Sequence, residues 1–512
     1  MEIQELHKKA AKNSKNYRVY EEMGEFYANE GNQKRAYLCF AHSFYLCQEE
    51  EAKTRLSNLI TSLKENQDGK LPMAALLIPS VPDLAQMKVI IKNCVEGKED
   101  IQTIVVIDDD ESKDVSQWLL TQENIQIVYG KGSSPAIALK EAIQKTNPQE
   151  DLMILGKGAV PLSHALFQLR MSLYKDDSIG AAGAVTNGPA YGLTEFQTPI
   201  DRANVYADEH NLPGDEHMSP VLIPSCCSLL VRRNYFDKTK GFYEKYFTME
   251  VLEKDLCFQL LLLKKQTYLC HHAYVYTFVQ TNSNQARWTD FNTFHDKWKV
   301  RLNYSLFARP EILNLIADPK DTEFRVLDVG CACGASLLAI KHRFPNSEPH
   351  GIELDPGSCK ISSCLFPVTQ GNVETNLDYE EGYFDYIIFG DVLEHLHEPQ
   401  DVLINMKRYL KPNGAILASI PNVMHISVIH NLLNGLWTYE ESGILDKTHL
   451  RFFTKTEITR MFSRAGYEIE EMGNTRAYLT PDQQKMLEKL NSIVPNPVEL
   501  TAYQYLIRAR KQ

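Results

Sequence analysis

The sequence predicts a protein of the α/β class, and two observations support this. Between residues 73 and 305, short apolar runs alternate with helical patterns, which is typical of a domain built on a mostly parallel sheet. Between residues 311 and 512, a β-branched run passes through a turn of small residues into a helical pattern. Residues 1–68 show a helical pattern alone. We therefore expect 512 residues divided into two α/β domains and a small all-α segment.

The all-α segment is rich in Glu, Lys and Ala and contains no proline. The offsets of Tyr20, Gly24 and Phe40 resemble one tetratricopeptide repeat, with a turn at 31–32 between two helices. A single repeat cannot bury its own apolar face, so we expect that face to pack against another protein surface or against the neighbouring domain. It is either an arm for a protein partner or for a second copy of the chain, or a helical hairpin packed on the next domain. The polar stretch 64–72 is the expected linker.

The middle part is predicted to contain four strands, at residues 73–80, 101–110, 124–130 and 151–156. The order of its motifs resembles the family-2 glycosyltransferases of the GT-A fold. This resemblance implies that Asp108 or Asp109 contacts the uracil or ribose of a sugar nucleotide. It also implies that a catalytic base survives as Glu253 or Asp255.

The metal site is where the middle part departs from that family. GT-A transferases normally hold a divalent ion with an Asp-x-Asp pair, because the ion must neutralise a diphosphate leaving group. Residues 155–161 carry no carboxylate, and Thr277 stands where a metal-binding histidine often lies. We therefore expect no metal and a domain that binds or positions a glycan. Lys157 is an alternative source of positive charge for a phosphate.

The strand–turn–helix pattern of the C-terminal part, VLDVGCACG, is the most informative stretch. Asp328 lies near the end of the strand, and the turn contains Gly330, Ala332 and Gly334. Small residues let a ligand approach the backbone, and a helix N-terminus offers unpaired N–H groups. Glu353 ends the next predicted strand, where an acid can accept both hydroxyls of a ribose. The pattern therefore predicts a Rossmann-like domain that binds a nucleoside-containing cofactor.

Five motifs in this order resemble the class I S-adenosylmethionine-dependent methyltransferases: DVGCACG at 328–334, HGIEL at 350–354, GNVET at 371–375, FDYIIFGDVLEHLHEP at 384–399 and LKPNGAILASIPN at 410–422. The resemblance implies S-adenosylmethionine as cofactor. It implies that Asp328 orients the methionine amino group, that Glu353 holds the ribose, and that Asn372 lies near the adenine. The segment 443–454 resembles a signature of a branch that is often encoded in cell-surface glycan clusters.

The acceptor side is expected in the insert that follows the fifth predicted strand, residues 422–454. A hydroxyl acceptor needs a base, because its proton must leave as the new bond forms. We favour His449, because Asp446 precedes it by three residues and would orient the imidazole on one helical turn. His425, in the same insert, and Asp391, at the end of the fourth predicted strand, are the alternatives.

The composition of the chain restricts the classes of binding partner and the cellular compartment that we expect. A net charge of −12 argues against nucleic acid, since phosphate binding needs clustered Lys and Arg. No apolar run is long enough to span a membrane and no signal core is visible, so we expect a cytoplasmic protein. The eleven cysteines, including the adjacent Cys226 and Cys227, lack metal-ligand spacing. We expect them to be reduced.

These inferences combine into one predicted function. The C-terminal domain is expected to be an S-adenosylmethionine-dependent O-methyltransferase, acting on a sugar of a surface polysaccharide or protein glycan that the middle domain binds. One alternative is a bifunctional enzyme that adds a sugar from a sugar nucleotide and then methylates it. Another is a non-catalytic scaffold that recruits other enzymes of glycan assembly.

Overall fold

The chain forms two compact units, Met1–Leu302 and Asn303–Gln512. The computed structural model describes residues 2–65, 71–96, 101–187, 199–224, 228–278, 284–302, 305–375 and 377–512. The first unit combines the N-terminal helices with the middle α/β region, which the sequence suggested as separate domains. Part of the expected linker, 66–70, and the pair Cys226–Cys227 lie outside the described residues. Nine of the eleven cysteines lie among the described residues, and eight of these are buried; their reduced state stays a prediction.

The first unit contains helices and strands in alternation after its N-terminal helices. Its described helices are α1 Ile3–Lys12, α2 Tyr17–Asn29, α3 Gln33–Leu46, α4 Glu50–Glu65, α5 Leu84–Glu96, α6 Lys113–Leu119, α7 Pro135–Gln144, α8 Ala165–Leu173, α9 Ile200–His210, α10 Arg233–Phe236, α11 Met249–Leu262 and α12 Asn284–Trp298. Its described strands are β1 Ala74–Pro79, β2 Ile101–Asp108, β3 Gln126–Tyr129, β4 Asp151–Leu155, β5 Ala159–Pro161, β6 Ile179–Thr186, β7 Met218–Val221, β8 Ser228–Val231 and β9 Gln266–Thr277. A single 3-10 turn, Asp215–His217, precedes β7.

These strands form one mixed sheet in the order β3-β2-β1-β4-β8-β6-β9-β5, with β7 paired to β9. The four strands predicted from the sequence are all present. They are parallel to one another, while β8 runs antiparallel between β4 and β6. Because β1 and β4 are buried on both faces, they read as continuous apolar runs rather than as alternating ones. The carboxyl ends of β1 and β2 bring Ser80 and Asp108 to one edge.

The predicted helical hairpin is formed by α2 and α3. Gly31 has φ +78°, a left-handed conformation that suits glycine at the turn. The two helices approach closely at Gly24, where an added Cβ would lie 2.5 Å from the ring of Phe40. Arg35 donates hydrogen bonds of 3.1 and 3.0 Å to the carbonyl of Met171 and pairs with Asp215 at 2.7 Å. The hairpin therefore packs on the following α/β region, and its use as a partner-binding arm stays a prediction.

The second unit is built on an open sheet with helices on both sides. Its described helices are α13 Pro310–Leu313, α14 Ala335–Arg343, α15 Pro356–Ser362, α16 Pro399–Met406, α17 Ile426–Leu433, α18 Lys455–Arg464 and α19 Pro481–Leu490. Its described strands are β10 Arg325–Val329, β11 Glu348–Glu353, β12 Val368–Gln370, β13 Phe384–Gly390, β14 Leu410–Pro421, β15 Tyr467–Thr475 and β16 Gln504–Lys511. The 3-10 turns Leu393–His395 and Pro497–Leu500 complete this part of the chain.

The strand order of this sheet is β12-β11-β10-β13-β14-β16-β15. The first five strands are parallel and β16 is antiparallel to both of its neighbours. The chain first builds outward from β10 through β11 to β12, and then returns to place β13 on the other side of β10. In open α/β sheets a ligand binds beyond the carboxyl ends of the strands at such a reversal. Asp328 on β10 and Asp391 after β13 flank it.

Among the residues that the structure describes, no helix has both the length and the apolar character needed to cross a membrane.

Candidate active site

The turn after β10 keeps its backbone open to a ligand. Gly330 has φ +69° and Gly334 has φ +87°, so both adopt conformations that other residues rarely take. A Cβ on Gly330 would lie 2.8 Å from Cγ2 of Val392. The cofactor turn and the segment after β13 are therefore in direct contact, and any larger residue at Gly330 would push them apart.

Ala332 lies between Gly330 and Gly334 in this turn, and it too has a positive φ, of +49°. Such a conformation costs a non-glycine residue roughly 1–2 kcal/mol. Its N–H donates a 2.7 Å hydrogen bond to Glu353 Oε2, while the N–H of Asp355 donates to Oε1 at 2.7 Å. The Glu353 carboxylate thus ties the turn to the end of β11 and helps to hold Ala332 in this conformation.

Asp328 is buried, with 5% of its surface exposed. Burial raises the pKa of its carboxyl to about 7; the charge of Arg309 lowers that pKa, and the charge of Glu353 raises it further. Burial also raises the pKa of Glu353 above its ordinary value. Two buried acids beside an open turn favour a cationic ligand, because a positive charge would stabilise both carboxylates.

These residues fit S-adenosylmethionine, which carries a sulfonium, an ammonium group and a ribose. Asp328 would hold the ammonium group, and the free lone pairs of Glu353 would accept the ribose hydroxyls. Asn372 lies at the same edge, because the N–H of the preceding Gly371 donates to the carbonyl of Glu353 at 3.0 Å. Its own side chain is exposed and accepts a hydrogen bond from the N–H of Glu374 at 2.9 Å.

The raised pKa of Asp328 predicts that cofactor affinity depends on pH. The free protein binds a proton at this carboxyl below about pH 7, whereas a bound ammonium group favours the ionised form, so binding releases a proton. We expect affinity to rise about tenfold between pH 6 and pH 8 and then to level off. Calorimetry in buffers of different ionisation enthalpy counts the released proton. Asp328→Asn should abolish most of this dependence, and proton uptake by the wild type would contradict the assignment.

Asp391 follows β13 at the carboxyl edge of the sheet, and its carboxylate is fully engaged. Oδ1 accepts hydrogen bonds from Ser419 Oγ at 2.5 Å and Gln504 Nε2 at 2.8 Å, and Oδ2 forms an ion pair with Arg309. Its φ of +55° is a left-handed conformation that these contacts hold in place. Asp391 therefore fixes the end of β13 to β14 and β16, which argues against a role as a free base.

His425 begins α17 and acts as its N-cap. Nδ1 accepts from the N–H of Ser427 at 3.3 Å, so the ring proton is on Nε2 and that nitrogen cannot accept a proton. Burial lowers the pKa of this imidazole to about 4. These two features weaken His425 as a base.

Asp446 and His449 are brought together, but not in the expected arrangement. The segment is a turn closed by a hydrogen bond from the N–H of His449 to the carbonyl of Asp446 at 3.0 Å, so the predicted helical turn was wrong. Asp446 Oδ1 accepts from both the N–H and the hydroxyl of Thr448 at 2.7 Å. His449 Nδ1 instead contacts the carbonyl of Ile444 at 2.9 Å. The orienting partner of the imidazole is therefore a backbone carbonyl.

Glu394 is the residue that sequence reasoning missed. Its side chain is 1% exposed, and neither carboxylate oxygen has a hydrogen-bond partner in the part of the chain that the structure describes. Burial, with the nearby charge of Asp391, raises its pKa well above the ordinary value. Glu394, His395 and His449 each present one ligand atom, and these atoms lie within 4.8 Å of one another. Glu394 lies in the motif LEHLHEP, whose residue types alone do not mark it as buried.

The acidic residues at the end of β2 in the first unit form a cluster of hydrogen bonds and ion pairs with Ser80 and Lys157. Asp109 accepts from Ser80 Oγ at 2.9 Å and pairs with Lys157 at 2.8 Å. Lys157 also pairs with Glu111 at 2.8 Å, and Asp108 accepts from the N–H of Asp110 at 3.1 Å. Lys157 thus lies beside the residues that were expected to contact a sugar nucleotide.

The two candidates for a base in this unit differ in their surroundings. Asp255 is buried and contacts Tyr246, Gln259, Lys297 and Trp298, which occupies its carboxylate in the packing of α11 against α12. Glu253 is 2% exposed, and neither carboxylate oxygen has a hydrogen-bond partner among the described residues. Burial raises the pKa of Glu253 to about 8.

Comparison with known proteins bears on the second unit. A protein-family model described as a methyltransferase domain matches residues 301–472. The chain is 25% identical over 193 residues to the ubiquinone biosynthesis O-methyltransferase of Rickettsia bellii, which covers 36% of this chain and 75% of that protein. It is 30% identical over 110 residues to the mitochondrial ubiquinone biosynthesis O-methyltransferase of Schizosaccharomyces pombe, covering 19% of this chain and 37% of that one. A solved SAM-dependent methyltransferase from Archaeoglobus fulgidus is 17% identical, covers 43% of this chain and 99% of that chain, and has a TM-score of 0.30.

The family match covers the cofactor turn, Glu353 and the segment after β13. The C-terminal region is therefore a class I S-adenosylmethionine-dependent methyltransferase domain with a Rossmann-like fold. The chain is a methyltransferase, and its cofactor is S-adenosylmethionine.

Proposed function

We propose that this methyltransferase acts on oxygen and that its acceptor is a sugar hydroxyl of a surface polysaccharide or protein glycan. The observation that carries the first part is the acceptor-side geometry, in which buried Glu394 and two histidines face one another beside the cofactor turn. A hydroxyl must lose its proton when its oxygen is methylated, and carboxylate and imidazole groups are side chains that can accept that proton. The curated relatives named above are O-methyltransferases by name, which supports the same reaction.

The contacts of the site residues indicate the role that we propose for each of them in the reaction. S-adenosylmethionine supplies the methyl group when it is bound. Asp328 and Glu353 orient it from the β10 and β11 side, and the Asp391–Arg309 pair ties the end of β13 to the start of α13. The insert 422–454 covers the acceptor and excludes water, which an in-line displacement requires.

A sugar acceptor is supported by the aromatic surface of the insert and by the first unit. Trp437 is 40% exposed and its ring is 5.5 Å from that of Phe452, which suits stacking on a sugar ring. In the first unit, Asp108 ends β2, Asp109 follows it, and Lys157 follows β4 and pairs with Asp109. We propose that this unit binds or positions the glycan. A cytoplasmic location agrees with this function.

A second acceptor class, an aromatic diol with an apolar tail, is favoured by one observation. Leu432 and Leu433 at the end of α17, and Leu436 after it, are 50%, 63% and 53% exposed, and Trp437 follows Leu436 in the chain. The relatives named for ubiquinone biosynthesis point to acceptors of this kind.

Incubation of the protein with labelled S-adenosylmethionine and either extracted surface glycan or a catechol-type quinol distinguishes the two acceptor classes. Mass spectrometry should show one added methyl group on a sugar, and the glycan of cells without the gene should lack it. Methylation of the quinol alone would replace the sugar proposal, and methylation of neither by a protein that binds the cofactor would overturn both.

The first unit is predicted not to turn over a sugar nucleotide. Described residues 155–161 supply no carboxylate for a divalent ion, and the carboxylate of Asp109 is already paired with Lys157. Incubation of the full chain with a UDP-sugar and Mn²⁺ should therefore release no UDP above the background rate. If UDP is released and Glu253→Gln abolishes the release, the bifunctional alternative is correct.

A further inference from the structure

The side chains of Glu394, His395 and His449 form a cluster whose chemistry the cofactor site does not use. Glu394 and His395 belong to the 3-10 turn that follows β13, and His449 belongs to the insert after β14. The N–H groups of Leu450 and Arg451 both donate to the carbonyl of Glu394, at 2.8 and 3.0 Å. The backbone therefore clamps the two segments together at this point and holds the three side chains in one place.

The imidazoles of His395 and His449 are each oriented by a contact between Nδ1 and a backbone carbonyl. His449 Nδ1 lies 2.9 Å from the carbonyl of Ile444, and His395 Nδ1 lies 3.2 Å from the carbonyl of Thr448. A carbonyl can only accept, so the proton of each ring is on Nδ1 and each Nε2 keeps a free lone pair. Histidines that bind a metal characteristically donate their other ring N–H to a carbonyl or carboxylate in this manner.

The third side chain completes the donor set. Glu394 has only 1% of its side chain exposed, yet neither carboxylate oxygen has a hydrogen-bond partner in the described part of the chain. An unpartnered buried carboxylate is costly, and a cation is the ligand that would offset this cost. His449 Nε2 lies 4.0 Å from Glu394 Oε1. Ligand atoms of a tetrahedral ion are roughly 3.4 Å apart for metal–ligand bonds of about 2.1 Å, so a small side-chain movement closes the site.

We propose that Glu394, His395 and His449 bind one divalent transition-metal ion beside the cofactor turn. Two imidazoles and one carboxylate suit first-row transition ions, and such a three-residue set leaves positions open for further ligands. The sequence predicted no metal, because residues 155–161 of the middle domain lack the carboxylates that a GT-A metal site needs. The site lies next to the methyl donor, since Val392, two residues before Glu394, is the neighbour of Gly330.

The role of the ion rests on the proposed function. An acceptor hydroxyl that occupies an open position would be held near the cofactor, and the ion would favour loss of its proton to water. As the carbon–sulfur bond breaks, the new carbon–oxygen bond forms and the neutral thioether leaves. Half-buried His395 marks the side from which the acceptor would enter.

Ion binding is measured on the full chain without any acceptor, so its result is independent of the proposed substrate. After chelation and dialysis, titration with Co²⁺ or Zn²⁺ should give one bound ion per chain, and Co²⁺ should show visible bands of nitrogen–oxygen coordination. Glu394→Gln and His449→Ala should each weaken binding at least 10–100-fold, the loss typical even of outer partners. His397→Ala is the matched control, because this exposed histidine lies two residues from His395 and pairs with Glu374.

S-adenosylmethionine affinity serves as the test of folding for each variant. Wild-type protein that binds no ion in stoichiometric amount would overturn the proposal. Equal affinity in the wild type, Glu394→Gln and His449→Ala would also overturn it, because the ion would then be held elsewhere, such as by the histidines of β9. Loss of the ion in well-folded variants, with retention in His397→Ala, is the expected result.

Discussion

Glu353→Ala is expected to remove most of the affinity for S-adenosylmethionine. The substitution deletes two charge-assisted hydrogen bonds to the ribose, and each such bond contributes roughly 1.5–3 kcal/mol. It also releases the N–H of Ala332, which the carboxylate holds at 2.7 Å in a left-handed conformation. Calorimetry should show a dissociation constant raised by about 10²-fold or more.

Two further variants separate the causes of this loss. Glu353→Gln keeps one oxygen for the N–H of Ala332 but removes the charge, so its affinity should lie between those of the wild type and Glu353→Ala. Glu348→Ala is the control, because Glu348 begins the same strand and pairs with Arg325 at the surface. Unchanged affinity in Glu353→Ala would mean that the ribose is held by other residues and would remove Glu353 from the cofactor site.

The parts of the fold that the sequence predicted well are those fixed by local periodicity. β10, α14 and β11 follow the predicted strand–turn–helix–strand order, because their apolar runs and small turn residues leave few alternatives. Asp328 lies near the end of β10 and Glu353 ends β11, as the apolar runs indicated, and the roles of these two residues in cofactor binding stay predictions.

The acceptor side was predicted less well, because it is formed by contacts between distant segments. The spacing of Asp446 and His449 suggested a helical turn, but a polar segment with Thr448 offers Asp446 a local partner instead. Glu394 gave no signal as a buried group, since a glutamate beside two histidines reads as an exposed polar turn. The backbone hydrogen bonds from Leu450 and Arg451 to its carbonyl, together with the contact between His395 Nδ1 and the carbonyl of Thr448, show that the insert folds over it.

The same limit applies to the first unit. The strands of its parallel sheet were predicted, but the pairing of β8 between β4 and β6 depends on long-range contacts. Asp255 and Glu253 are two residues apart on α11 and were equivalent candidates in the sequence. Packing distinguishes them, because α12 supplies Lys297 and Trp298 to Asp255 and leaves Glu253 unpartnered among the described residues.

His449→Ala is expected to abolish most methyl transfer while leaving cofactor affinity unchanged. We propose that Asp328 and Glu353 hold the cofactor, whereas the His449 ring is held by the carbonyl of Ile444 in the acceptor-side insert. Loss of a group that handles the acceptor proton typically lowers the rate by about 10²–10⁴. Calorimetry with the cofactor and mass spectrometry of methylated acceptor, on the same preparation, measure the two effects separately. His430→Ala, in the same insert, is the control and should retain the wild-type rate.

The two roles open to His449, a base and a metal ligand, predict different results when the metal is removed. If His449 is a ligand, chelation should slow the wild type to the rate of His449→Ala, Glu394→Gln should be equally slow, and chelation should not slow either variant further. If His449 acts only as a base, chelation should leave the wild-type rate unchanged and Glu394→Gln should retain most of its activity. Because Nδ1 is held by a carbonyl and Nε2 faces an unpartnered buried carboxylate, the geometry favours the first result. A loss of cofactor affinity equal to the loss of rate would instead show that His449 maintains the fold of the insert.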